Sequence, residues 1–277
     1  MKKVMERLAN IDRRVIYALI WVVILFPMIR PVGLPISITP EVRKTHEWIH
    51  ENLKAGDTVL VDVDFDPSQA PELLPQLLAV MKDLMTLEQR IVLVSFTPGG
   101  FLYQDRIVTE VAADFQYQYG SDIISLPFKA GNESAYNALG RDMKELYSVD
   151  YYGSPLTDAA LWRDLSGTAD FKAVFTFCAG DQGVWMIRHV GQVNSTPVFN
   201  GTVSSSGAFM TPYWESGQLT GFIVGMSGAA EYEKLSGFTG TATSGMDAQS
   251  FGHILITTLI VVGNVGYLGS KRKGMVR

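Results

Sequence analysis

Two apolar stretches, one near each end, constrain this chain more than any other feature. VIYALIWVVILFPMI (15–29) holds no charge, and PVGLPI continues it after Arg30, giving an expected first span over 15–36. FGHILITTLIVVGNVGYLG (251–269) is free of Asp, Glu, Lys and Arg for 19 residues. At about 1.5 Å of rise per residue that is enough to cross a hydrocarbon core of about 30 Å. The composition agrees, with 47% hydrophobic residues and only 18% charged ones, lean for a soluble protein. The second run ends in Lys271-Arg272-Lys273 and reads as a membrane exit rather than a core helix. The first exceeds the apolar part of a cleavable leader and lacks a small-x-small site after it, so it reads as an uncleaved signal-anchor. Pro27 is expected to kink that helix near its outer end, and Arg30 to snorkel to the interface.

The flanks give an orientation. Lys2, Lys3, Arg7, Arg13 and Arg14 precede the first run, and Lys271, Arg272, Lys273 and Arg277 follow the second. Lys and Arg are retained on the cytoplasmic side, so the expectation is a two-pass protein of the inner (plasma) membrane. Basic tails over 1–14 and 270–277 would lie inside and the intervening segment outside. Residues 37–250 contain 26 Asp plus Glu against 13 Lys plus Arg. An acidic domain of that kind repels nucleic acid, whereas the basic tails suit anionic inner-leaflet lipid. The single cysteine, Cys178, rules out an internal disulfide and reads as a small buried residue. Asn132-Glu-Ser and Asn194-Ser-Thr fit the glycosylation pattern, which carries meaning only in a eukaryotic secretory pathway.

Between the runs, strand and helix patterns alternate. Thr39-Pro40-Glu41 opens a helix to about residue 53, and TVLVDVDF follows as a buried strand. An apolar-striped helix over 67–88 leads to IVLVSF (91–96), a helix over 101–118, DIISLPF (122–128) and a helix over 132–147. AVFTFC (173–178), PVFNGTV (197–203) and LTGFIVG (219–225) repeat the rhythm, with helices over 181–190, 209–216 and 228–235. Such alternation predicts right-handed crossovers and a mainly parallel sheet. The expected fold is a six-stranded Rossmann-like three-layer α/β domain over 37–236. The Gly/Thr/Ser/Ala-rich stretch 237–250 is expected as a flexible tether.

In such sheets ligands sit beyond the carboxyl ends of strands. Those ends offer Asp64 and Asp66, Thr97, Asp181, Ser204 and Ser227 as candidate ligand-binding residues, although caps and tight turns demand the same residue types. The aspartate series Asp62, Asp64, Asp66 is the most pointed feature. With Ser95 and Gly180-Asp181 it resembles parts of the haloacid-dehalogenase phosphatases, where one aspartate is nucleophile, its neighbour two on is acid/base, and acids hold Mg²⁺. The QGVWM after Asp181 supplies no second acid, and no lysine fills the phosphate role. HEWIH (46–50) matches the zinc-protease pattern HExxH, which would put His46 and His50 on one helix face with Glu47 as general base. It directly follows the first run, and no later motif marks a third ligand. The expectation is therefore no catalytic residue, no metal ligand and no cofactor.

PVGLPI (31–36), VLVDVDFDP (59–67), YYGSPL (151–156) and SGQLTGFIVGMSGAAEYEKL (216–235) resemble recurring blocks of a family of uncharacterised prokaryotic membrane proteins. The resemblance implies an α/β domain between two terminal membrane helices over nearly the whole chain, and it implies no catalytic residue. On that reading Asp64-x-Asp66-Pro67 is a strand end and helix entry, with Asp66 capping a helix begun by Pro67. The function expected is a membrane-anchored, non-enzymatic module, either a subunit of a larger homo- or hetero-oligomeric membrane assembly or a ligand-sensing domain. Gly263, Gly266 and Gly269, with Thr257, Thr258 and Asn264, give the second run small and polar groups for helix contact. SSSGAFMTPYW (204–214) suits a subunit interface or core packing. The rival class is a membrane-bound hydrolase using the aspartates or HEWIH.

Overall fold

TVLVDVD and AVFTFC are short, rich in β-branched and aromatic residues, and buried at every position, as strands covered on both faces must be. A computed structural model describes residues 12–271, with side chains to residue 268. It divides into two units, Ile36–Ala242 and a second made of the segments up to Pro35 and from Thr243. The flanking residues Lys2, Lys3, Arg7, Arg272, Lys273 and Arg277 lie outside the described residues.

The larger unit contains six parallel strands: β1 (Thr58–Asp64), β2 (Arg90–Val94), β3 (Ile123–Ser125), β4 (Ala173–Cys178), β5 (Val198–Thr202) and β6 (Gly221–Val224). Their order is β3-β2-β1-β4-β5-β6, the doubly wound arrangement in which the crossovers reverse direction between β1 and β4. The register places Asp62 beside Val94 and Thr176, and Asp64 beside Cys178.

Helices cover both faces. Val59, Val61, Val63, Phe175 and Phe199 pack against α2 (Pro40–Asn52), α3 (Ala70–Thr86), a helix over 98–114 (α4) and α10 (Gly225–Ser236). Leu60, Val92, Ile124, Val174 and Phe222 pack against α5 (Glu133–Arg141), α6 (Met143–Leu146), α7 (Ala160–Asp164), a helix over 182–194 (α8) and α9 (Gly207–Glu215). The expected three-layer domain is therefore present. Both α4 and α8 contain a one-turn widening, Ile107–Val111 and Ile187–Gly191.

Several boundaries differ from expectation. The helix after β1 starts at Ala70 rather than Pro67, because residues 67–69 form a turn closed by the Gln69 N–H on the Asp66 carbonyl. Asp66 does not cap it: the Asp66 N–H donates to Gln69 Oε1 instead. The stretch 237–250 is helical from Thr241 onward rather than a flexible tether. The Glu233 carboxylate accepts the N–H groups of Gly240 and Ala242 and so supplies the partners that a helix start lacks.

In the smaller unit, α1 (Arg13–Ile29) has 17 residues with Asp12 accepting the Arg14 N–H as its cap. It ends at Ile29, short of the expected 36. Pro31 forces Arg30 into an extended conformation, and PVGLPI is not helical. The C-terminal α11 (Thr241–Lys271) contains the one helix, among the described residues, long and apolar enough to cross a membrane, over Thr241–Leu268. Its large apolar side chains, Ile254, Ile256, Ile260, Val261, Val265 and Leu268, are exposed. Within the same unit Asp247 accepts the backbone N–H groups of Val32, Gly33 and Leu34 at 2.7–2.9 Å. Gly33 adopts φ +69°, a conformation that glycine reaches without strain and that turns successive N–H groups toward one acceptor.

Candidate functional site

Alternation along β1 sends Val59, Val61 and Val63 to one face of the sheet and Leu60, Asp62 and Asp64 to the other. In a half-solvated sheet the second set would be wet. Here α5 lies over it, and Asp62 and Asp64 are 0% and 1% exposed. Tyr136 of α5 is the roof: its hydroxyl lies 3.2 Å from Asp62 Oδ2 and hydrogen-bonds Asp64 Oδ2. Thr176 Oγ1, from β4, donates to Asp62 Oδ2 at 2.8 Å. Asp64 Oδ1 accepts the N–H groups of Phe96 and Thr97 at 2.5 and 2.8 Å and the Ser95 hydroxyl at 3.3 Å. Asp64 thus terminates β2 by collecting the amides that turn away from the ladder.

Two carboxyl groups buried side by side cannot both remain charged cheaply. Burial first, and then the neighbouring Asp64 charge, pushes the Asp62 carboxyl far above the usual range. Burial also raises Asp64, but its donors from Tyr136, Phe96, Thr97 and Ser95 work against the shift. A proton on Asp62 with Asp64 ionised is the state these shifts favour. The phenol of Tyr136 has one proton and gives it to Asp64, while the proton of a neutral Asp62 can fill the remaining contact. Burial, reinforced by both carboxylates, drives the phenols of Tyr136 and Tyr147 upward. Asp62 Oδ1, the Tyr147 hydroxyl and Asn200 Oδ1 are buried without a hydrogen-bond partner among the described residues. Burial also raises the Cys178 thiol, to about 12, beside an Asn200 amide that donates to its sulfur at 3.4 Å.

The candidate residues at the strand ends do not form one constellation. Asp64 and Thr97 meet through the Thr97 N–H. Asp66, Asp181 and Ser227 are exposed, and Ser204 gives its N–H and hydroxyl to Glu72 Oε2 at 2.8 and 2.5 Å. The glycines of TPGG serve packing: a Cβ on Gly100 would sit 1.7 Å from the Val63 carbonyl oxygen, so only glycine lets α4 start so close to β1. The phosphatase-like reading requires an aspartate oxygen free to attack a substrate. Both oxygens of Asp64 are instead engaged by internal donors.

A second cluster lies on the opposite face of the sheet. His46 and His50, one turn apart on α2, have ring centroids 4.2 Å apart. Asp83 of α3 meets them, with His50 Nε2 at 3.0 and 3.2 Å from its two oxygens. Tyr232 of α10 donates to Asp83 Oδ2 at 2.6 Å, and its ring meets His46 edge-on at 5.8 Å. One nitrogen from each histidine and one Asp83 oxygen all lie within 4.8 Å of one another. Burial lowers the His46 pKa, which favours neutral imidazole. Chemically, two imidazoles and a carboxylate form a donor set for a divalent transition metal.

No family model, curated protein or solved structure matches this chain. Sequence reasoning missed Tyr136, Thr176, Asp83 and Tyr232. Asp83 carried a faint signal: three and four residues after Val80 and Ala79, it places an acid on the buried stripe of an apolar helix. Tyr136, in NESAYNALG, carried none.

Proposed function

We propose that the chain is a membrane-anchored, non-enzymatic module, either a subunit of a larger membrane protein assembly or a ligand-sensing domain. The observation that carries this reading is the state of Asp64, the best-placed acid at the switch point of the sheet. Both its oxygens are spent on holding β2 and α5 in place, and α5 covers it. An acid so engaged organises the carboxyl ends of β1 and β2 instead of attacking a substrate.

The anchor on this reading is two-pass, with both termini cytoplasmic and the acidic α/β domain outside. Support for the second pass comes from α11, whose apolar window is only 6% buried. Support for the first comes from α1, with exposed Tyr17, Trp21, Val22, Phe26 and Ile29. Its 17 residues rise about 25 Å, a mismatch to a 30 Å core that modest bilayer thinning accommodates. The grip of Asp247 on residues 32–34 ties the exit of α1 to the entry of α11, as expected if both face the same side of the membrane. The resemblance to membrane proteins with an α/β domain between terminal helices points the same way. Lipid bilayer and other membrane subunits are then the partners.

The test combines topology with activity. A reporter that fluoresces only in the cytoplasm should light up when fused to either terminus. The intact protein should run as a stable oligomer or complex in mild detergent. A C-terminal reporter exposed outside would overturn the topology. Hydrolytic activity abolished by Asp64→Asn in a folded protein would overturn the non-enzymatic reading.

A further inference from the structure

We infer that His46, His50 and Asp83 form a binding site for one divalent transition metal ion of the zinc class. HEWIH supplies two imidazoles on one face of α2, and the fold brings Asp83 of α3 to them across a gap of 33 residues from His50. The donor atoms lie within 4.8 Å of one another. Metal–ligand bonds of about 2.0–2.1 Å in a tetrahedral site place neighbouring donors about 3.4 Å apart. The His50–Asp83 pair is already at 3.0 Å, so the ion has chiefly to draw in His46.

Asp83 has the supporting partner that ligating carboxylates need: the Tyr232 hydroxyl on Oδ2, which leaves Oδ1 for the ion. In the metal-free contact His50 Nε2 and Asp83 share a proton. An ion ligated by Nε2 would displace that proton, to Nδ1 of a neutral ring or to solvent from a charged one. Three protein ligands leave a fourth position for water. The ion would fasten α2 to α3 and, through Tyr232, to α10.

The alternative is a hydrogen-bonded cluster in which His50 and Tyr232 merely satisfy a buried Asp83. His46 separates the two, because no hydrogen bond of the cluster passes through it among the described residues. Tag-free, chelator-treated full-length protein in detergent is titrated with Co²⁺ and then Zn²⁺. The expected result is one equivalent of Co²⁺ with the intense visible bands of four- or five-coordination, displaced by Zn²⁺, and a rise in Tm with metal. His46→Ala should keep the metal-free fold and Tm yet lose the Co²⁺ spectrum. Tyr232→Phe should weaken binding about 10–100-fold. Absence of a saturable Co²⁺ spectrum in the wild type, or a spectrum unchanged in a folded His46→Ala protein, would overturn the site.

Discussion

Replacing Asp62 by asparagine should stabilise this protein at neutral pH and do little in acid. Asparagine copies the shape of the neutral acid, and its carbonyl oxygen in the Oδ2 position still accepts from Thr176. In the unfolded chain Asp62 titrates near 3.8, whereas in the folded chain burial and Asp64 hold its proton to much higher pH. Above pH 3.8 the native state therefore binds more protons than the unfolded state, and stability falls as pH rises. The slope is about 1.4 kcal/mol per pH unit while a full proton separates the states, and it ends once the folded-state titration is passed. The variant lacks that slope. In a domain of this size each pH unit of the window should widen the Tm gap by about 3–6 °C in favour of the variant. Thermal unfolding of both full-length proteins in the same detergent, at unit steps from pH 4 to pH 8, measures the difference, and groups not coupled to Asp62 cancel. A gap that does not change with pH, or a variant less stable throughout, would refute the claim that a buried, proton-holding Asp62 lies beneath Tyr136.

Other features give sharper single outcomes. Gly100→Ala forces a Cβ to 1.7 Å from the Val63 carbonyl, so it should cost about 3 kcal/mol or more in chemical denaturation. The Cys178 thiol, buried and raised to about 12, should resist a thiol reagent at pH 8 in the native protein and react fully once it is unfolded. Asp247→Ala strands three backbone donors, so amide hydrogen exchange at Val32, Gly33 and Leu34 should accelerate at least tenfold, a loss of about 1.4 kcal/mol or more of local protection. Unchanged exchange there would show that the carboxylate does not hold the segment.

Much of the fold was legible because it rests on local pattern. Short β-branched runs bounded by turn residues marked all six strands. Their alternation with helices implied the parallel sheet, since a right-handed crossover is the connection available. Boundaries were less legible where a side chain overrode local preference. Pro67 looked like a helix start, yet Gln69 closed a turn before it. The Gly/Thr-rich residues after Gly237 looked like a linker, yet Glu233 caps a helix among them.

The site divides along the same line. From the period of two alone, Asp62 and Asp64 had to share a face of β1, and from the period of 3.6, His46 and His50 had to share a face of α2. Whether those faces met water or protein depended on elements far away in the chain. Tyr136 and Thr176 turned the aspartates into a buried, proton-holding pair, and Asp83 with Tyr232 turned two surface histidines into a three-donor cluster. Local periodicity is a property of the backbone and can be read along the chain, whereas burial, and with it the charge state of an acid, belongs to whatever packs against it.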